Sequence, residues 1–296
     1  MKHIPRMAIM GLVAVLCVTC LAACGRSEAG HSQTFSQQTL NDTGAKPQDA
    51  QPQQDAQPQQ DTPEPTQPPE EVAAEPTAAP ASNQGNAVGT VVIDAGHQAH
   101  GNPGQEPVGP GAGETKAKVS DGTAGVSTGV RESVVNLEVA LKLQEELEAR
   151  GIDVIMVRDT EDIDISNSER AAIANDNHAD LFIRLHCDGV EGSSATNGFY
   201  TLVPGENSWT APIVAESAVA GRIIHETVLA QTGANDRGIK ERTDLSGFNW
   251  CTVPTVLLEM GCMSNPTEDE KLNSDEYQRQ LAVAIADGTV AYLNQR

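Results

Sequence analysis

Positive charge is scarce in this chain. Its 19 Lys and Arg stand against 41 Asp and Glu, a formal net charge of −22. Nucleic acid wants a basic face, so a nucleic-acid partner is excluded. Electrostatic adhesion to an anionic cell wall is disfavoured for the same reason. Cysteine is also scarce: six in 296 residues, and the one CxxC spacing, Cys17 to Cys20, lies in the N-terminal apolar run, so none is left to build a zinc knuckle or ribbon. Beyond Cys17, Cys20 and Cys24, only Cys187, Cys251 and Cys262 remain. They allow one disulfide in an exported protein or three buried thiols acting as small hydrophobes. The one long apolar run, Met7 to Leu21, is too short to span a membrane comfortably. No separate wall-binding repeat is visible.

That run reads instead as an export signal covering 1–23. Lys2, His3 and Arg6 precede it, and Leu21-Ala22-Ala23-Cys24 closes it. The tetrapeptide resembles a lipobox, at which bacteria attach a diacylglycerol to the cysteine and cut before it; an ordinary secretory cleavage site is the other reading. Two acyl chains on Cys24 suffice for stable anchoring to the membrane. From Gly25 to Asn86 almost no residue can bury apolar surface, and Gln48 to Asp61 is a near-perfect Gln/Pro/Asp/Ala repeat. Such a segment cannot offset the entropy of ordering, so 24–86 reads as a disordered, Pro-stiffened tether. A partner-binding Pro-rich motif would want a PxxP with basic flanks, which is missing.

From Ala87 strand and helix signals alternate. Thr90-Val-Val-Ile93 is a buried-strand run broken by Asp94-Ala95-Gly96, with His97 beyond it. A long Gly- and Pro-rich loop, roughly 95–130, follows and has the length of a functional loop or lid. Glu132 to Arg150 carries an apolar face at helical spacing and closes at Gly151. Ile152–Val157 is a strand, and Asn167 or Ser168 can cap a helix through Ala174. Asp180–His186, Gly198–Val203 and Pro254–Glu259 are further strands, with helices at 211–231, 267–272 and 275–293. The alternation predicts one α/β domain over 87–296: three layers, a mostly parallel or mixed sheet of about six strands, and helices on both faces.

Ligands of open α/β sheets bind outside the carboxyl ends of the strands. Strands end here at or near His97, His186 and Glu259, and Glu132 opens the first long helix. Two His and a carboxylate leave an open position on a tetrahedral Zn2+, and a second carboxylate can serve as general base. Glu132 at a helix start is also favourable to the macrodipole without any metal. Glu259 ending a buried run is costly unless paired or functional. Asp94 is a candidate partner for an imidazole N–H. His100, His178 and His225 read as surface or loop residues.

Five segments carry a resemblance. Val91-Val-Ile-Asp-Ala-Gly-His97 resembles the (I/V)(V/I)IDxGH opening of the zinc-dependent N-acetylmuramoyl-L-alanine amidases. Glu132-Ser-Val-Val-Asn-Leu-Glu-Val-Ala140 resembles their ExxxNLxxA helix, and Ser168-Glu-Arg-Ala-Ala-Ile-Ala-Asn175 their SxRxxxAN segment. Phe182-Ile-Arg-Leu-His186 is similar to F(I/V)SIHxN, and Val256-Leu-Leu-Glu-Met-Gly-Cys-Met-Ser-Asn265 to LxExGFxSN. The resemblance implies cleavage of the amide between N-acetylmuramic acid and L-alanine of peptidoglycan. It puts one Zn2+ on His97, Glu132 and His186, with Glu259 as catalytic acid/base. Arg170, Asp188 and Asn265 become candidates for supporting the site or the substrate. Four departures from the pattern bear on the site. Gln98 to Gly104 is unusual after the GH pair, and 111–120 is an insertion whose Glu114 rivals Glu132. Asp188 stands where Asn is usual, and Cys262 replaces an aromatic residue. The expectation is a lipid-anchored peptidoglycan amidase on the outer face of the cytoplasmic membrane. A zinc peptidase cutting another stem-peptide amide, or a non-catalytic wall-binding or regulatory lipoprotein, are the alternatives.

Overall fold

The structure is a computed structural model that describes residues 89–296; the signal, Cys24 and the tether lie outside the described residues. In chain order the elements are β1 Thr90–Ala95, β2 Asn102–Pro107, β3 Thr115–Val119, α1 Glu132–Ala149, β4 Asp153–Met156, α2 Asn167–Asp176 and β5 Leu181–Asp188. Then come β6 Phe199–Pro204, α3 Val214–Thr232, β7 Asp236–Arg242, α4 Ser246–Asn249, β8 Thr255–Cys262, α5 Pro266–Leu272 and α6 Asp275–Leu293.

Six strands form one sheet in the order β4-β1-β5-β8-β6-β7. The first four are mutually parallel; β6 runs antiparallel to β8 and parallel to β7. A sheet covered on both faces buries every side chain of its central strands, which is why Val91, Val92 and Ile93 read as an unbroken apolar run and are fully buried. Odd-numbered residues of β1 and β5 pack under α1, α3 and α6, with Ile93 and Ile183 among Val139, Leu143, Ile224 and Ile285. The even-numbered Val92 and Phe182 meet Ala171 and Ala174 of α2, and Leu257 meets Phe248 of α4. These are the expected three layers.

Several local expectations change. The 95–130 stretch is not a bare loop: it holds an antiparallel ribbon, β2–β3. Pro103, Gly104 and Pro107 hide β2 because such residues weaken a strand signal. The ribbon is docked by side chains on its backbone: Trp250 Nε1 donates to Pro107 O (2.8 Å), Asn249 Nδ2 to Val108 O (2.9 Å) and Trp209 Nε1 to Pro110 O (2.9 Å). The cap of α2 is Ser166, not Asn167 or Ser168; its hydroxyl accepts from Glu169 N while the Glu169 carboxylate accepts from Ser166 N, a capping box. Charged β7 is an edge strand without apolar alternation. The strands β5 and β8 continue past His186 and Glu259, with a register shift just beyond that pair. Bulges of this kind re-aim side chains beside active sites. Cys187, Cys251 and Cys262 are free, buried thiols.

Candidate metal centre

The site begins where β1 ends. Gly96 turns the chain, and a Cβ there would lie 2.4 Å from Nε2 of the His186 ring, so only glycine admits that imidazole. His97 follows in the left-handed region, at φ 61°. This strained backbone persists only when its surroundings over-determine it. Arg170 Nη2 donates to His97 O at 3.0 Å, and His97 Nδ1 donates to Ser120 O at 2.9 Å. Glu132, the first residue of α1, is buried, and its Oε2 accepts from Thr123 N at 3.0 Å. Its Oε1 lies 3.1 Å from both His97 Nε2 and His186 Nδ1. Cys187 N (3.1 Å) and Asn136 Nδ2 (3.3 Å) also donate to it. Ligand atoms of His97, Glu132 and His186 all lie within 4.8 Å of one another.

Hydrogen-bond accounting tests whether this group fits a cation. Ser120 O can only accept, so His97 Nδ1 carries a proton and Nε2 is the ring atom that faces Glu132 Oε1. Burial pulls the His186 imidazole down to about 4 despite its bond to Glu132, so that ring is neutral at neutral pH. Its Nε2 is buried without a partner among the described residues. Burial alone would raise the Glu132 carboxyl, but the hydrogen bonds from His186 and His97 hold it well below the usual carboxylate range. Burial likewise opposes charge on His97, while the Glu132 hydrogen bond and charge raise it. Two imidazole nitrogens within 3.1 Å of one buried carboxylate oxygen are a set that a proton or a metal cation can bridge, and the unpartnered His186 Nε2 leaves a further donor atom. Two His and one carboxylate are a donor set that suits Zn2+ and keeps a position open. The residues fit.

Glu259 stands opposite His186 in the β5–β8 register and opposite Tyr200 of β6. Its Oε2 is shielded from solvent and unpartnered among the described residues. Burial, then the charges of Glu132 and Asp188, push its carboxyl well above the ordinary value. A cavity of about 440 Å3 opens over His97 and His186, with Lys116 and Val119 of the ribbon on one wall, Asp244 to Gly247 on another, and Arg184 and Leu257 beneath.

Other expected residues fall elsewhere. Asp94 is no partner of an imidazole. Its Oδ1 accepts from Arg170 Nη1 (2.6 Å) and its Oδ2 from Arg184 Nε (2.8 Å), because two fixed cations outcompete a neutral ring. Asp188 is held by Arg237 Nη1 at 2.8 Å. Asn265 caps α5, its Oδ1 accepting from Thr267 N and Glu268 N while its Nδ2 donates to Ser194 O. His100 and Glu114 are exposed. His225 is buried instead, between Thr201 Oγ1 (3.1 Å) and Asp236 Oδ1 (3.0 Å). Sequence reasoning missed Asn136, although it lies one turn from Glu132 on the same helix face. Arg184, two residues before His186 and on the same strand face, was also missed.

A family model described as N-acetylmuramoyl-L-alanine amidase matches residues 91–291. An uncharacterized protein of Bacillus subtilis, YqiI, is 31% identical over 208 residues, covering 70% of this chain and 85% of its own. The N-acetylmuramoyl-L-alanine amidase Rv3717 of Mycobacterium tuberculosis is 29% identical over 236 residues, covering 75% and 94%. Among solved structures, the N-acetylmuramyl-L-alanine amidase Ami1 of Mycobacterium smegmatis superposes with a TM-score of 0.62 at 27% identity, over 70% of this chain and 97% of that one.

Proposed function

Since the chain belongs to the N-acetylmuramoyl-L-alanine amidase family, we propose that His97, Glu132 and His186 hold its metal, one Zn2+, and that Glu259 moves the proton in its reaction. The activity is peptidoglycan hydrolysis at the amide between N-acetylmuramic acid and L-alanine. The observation that carries the metal assignment is one buried carboxylate oxygen 3.1 Å from two imidazole nitrogens. Bound there, Zn2+ supplies a Lewis acid that brings the pKa of a water toward ~7 and polarises an amide carbonyl.

The chain's own groups do the rest. Amide hydrolysis breaks the C–N bond, adds water's oxygen to the carbonyl carbon and needs a proton on the departing alanine nitrogen. The Glu259 carboxylate takes the proton from water and its acid form returns it to that nitrogen. Its raised pKa suits both duties, since the carboxyl holds a proton more readily than an exposed glutamate. Ser120 O and Arg170 fix the ring and the carbonyl of His97. Asn136 and Thr123 N fix the Glu132 carboxylate.

Action on the cell wall is extracytoplasmic, and no helix among the described residues is long and apolar enough to cross a membrane. Our reading of the remainder is export through 1–23, a diacylated Cys24 as anchor, and 24–86 as the tether that lets the domain reach the wall. Digestion of purified muropeptides, with metal analysis of the protein, tests the enzyme. The expected results are free lactyl-muramic sugar, loss of turnover with a chelator, recovery with Zn2+, and loss in Glu259→Gln. A cut between stem residues would indicate a peptidase, and no cut with zinc bound would indicate a binding protein. Cys24→Ala should move the protein from the membrane to the soluble fraction.

A further inference from the structure

Arg184 lies under the cavity with one nitrogen uncommitted. Its Nε donates to Asp94 Oδ2 and its Nη2 to Asn167 Oδ1, both at 2.8 Å, which locks the guanidinium plane. Its Nη1 has no acceptor among the described residues, and the side chain lines the cavity. The charges do not balance. Asp94 is fully buried between Arg170 and Arg184, so one carboxylate faces two guanidiniums. Across the cavity Asp244 is already engaged by Arg242 (2.7 and 2.8 Å) and by Lys116 (3.6 Å). A chain with a net charge of −22 thus presents a surplus cation inside its cleft. Leaving a buried charge uncompensated is costly, and a visiting anion relieves it.

Position along the strand says which anion. Arg184 precedes His186 by two residues on the same face of β5, a step of about 7 Å. An extended peptide advances about 3.5 Å per residue, so a group two residues' length from the scissile amide reaches Arg184. We propose that Arg184 is a specificity-determining residue that grips, through Nη1, a carboxylate on the stem residue following L-alanine. This rests on the amidase reading and deepens it. The F(I/V)SIHxN pattern has Ser where this chain has Arg184, so the selectivity belongs to this chain and not to the fold.

The test uses the full-length protein and two muropeptides that differ only in whether that carboxyl is free or amidated. A charge-assisted hydrogen bond predicts a free-acid preference in kcat/KM of about ten- to hundredfold for the natural protein. Arg184→Gln should bring the ratio close to one. Arg184→Lys keeps a cation for Asp94 but loses the planar fork, so its ratio should fall between the two. A ratio near one in the natural protein overturns the proposal without using any variant, as does an Arg184→Lys protein that keeps the full ratio. If neither muropeptide is cut, the amidase reading fails and the proposal falls with it.

Discussion

Asp94→Asn removes the negative charge that two buried guanidiniums share. Arg170 and Asp94 are both fully buried, and the Arg184 side chain is 5% exposed. Breaking a buried ion pair by removing one partner costs about 3–5 kcal/mol, because the remaining charge is left uncompensated. For a domain of this size each kcal/mol moves the midpoint by about 2–4 °C, so the variant should melt about 6–20 °C lower. The pH dependence has a definite sign. Burial raises the Asp94 carboxyl, but the charges of Arg170 and Arg184, with the hydrogen bond from Arg184, outweigh it and hold it well below the usual range. A carboxyl depressed in the folded state stabilises fully above its unfolded value of about 3.9 and loses that contribution as pH falls below it. Thermal unfolding followed by circular dichroism should therefore show a constant gap between the two proteins from about pH 5 to 8. Below about pH 4 the gap should narrow, as the natural protein gives up what the variant never had. A loss under about 1 kcal/mol, or a gap that does not narrow in acid, would refute the buried-pair reasoning.

Gly96→Ala puts a methyl group 2.4 Å from the His186 ring, beside backbone that cannot retreat; zinc content and turnover should fall together while far-ultraviolet circular dichroism stays native. Burial, together with the charges of Glu132 and Asp188, raises Glu259, so the acid limb of kcat/KM reports a carboxyl above the ordinary glutamate value. Asp188→Asn removes one of those charges and frees Arg237, so the limb should move to lower pH; an unmoved limb would dissociate it from Glu259.

The parts of the molecule that were legible beforehand share a physical cause. β1, β5 and β8 are the inner strands of a sheet covered on both faces, so their sequences must be apolar nearly throughout, and α1 must show one apolar face. His97, His186 and Glu259 interrupt or follow those runs, where a polar group is expensive, and the expense itself marked them. The ribbon β2–β3 and strand β7 gave no such mark. They are peripheral, held by tryptophan, asparagine and lysine side chains on backbone carbonyls, and such contacts leave no period in the sequence. Asp94 and Arg170 were both conspicuous but their pairing was not, and Arg184 was not marked at all, since the two arginines are 76 and 90 residues from Asp94 in the chain. His225 sits on a helix, yet only the fold brings Thr201 and Asp236 to its two nitrogens.

The insertion after the GH pair acquires a purpose from the same hydrogen bonds. Ser120, which directly follows β3, supplies the carbonyl that fixes the His97 ring, so ring orientation depends on where the ribbon sits. The ribbon in turn sits on the start of α2: Ser168 Oγ donates to buried Glu106 at 2.6 Å, and Asn167 Nδ2 donates to Lys118 O at 2.8 Å. Arg170, on that same helix, donates to the His97 carbonyl. One helix N-terminus therefore holds His97 twice, by the backbone through Arg170 and by the ring through the ribbon. Holding both the backbone and the ring over-determines His97, which is how a non-glycine residue at positive φ persists. The ribbon that departs from the family pattern is thereby part of what aims the first imidazole at Glu132.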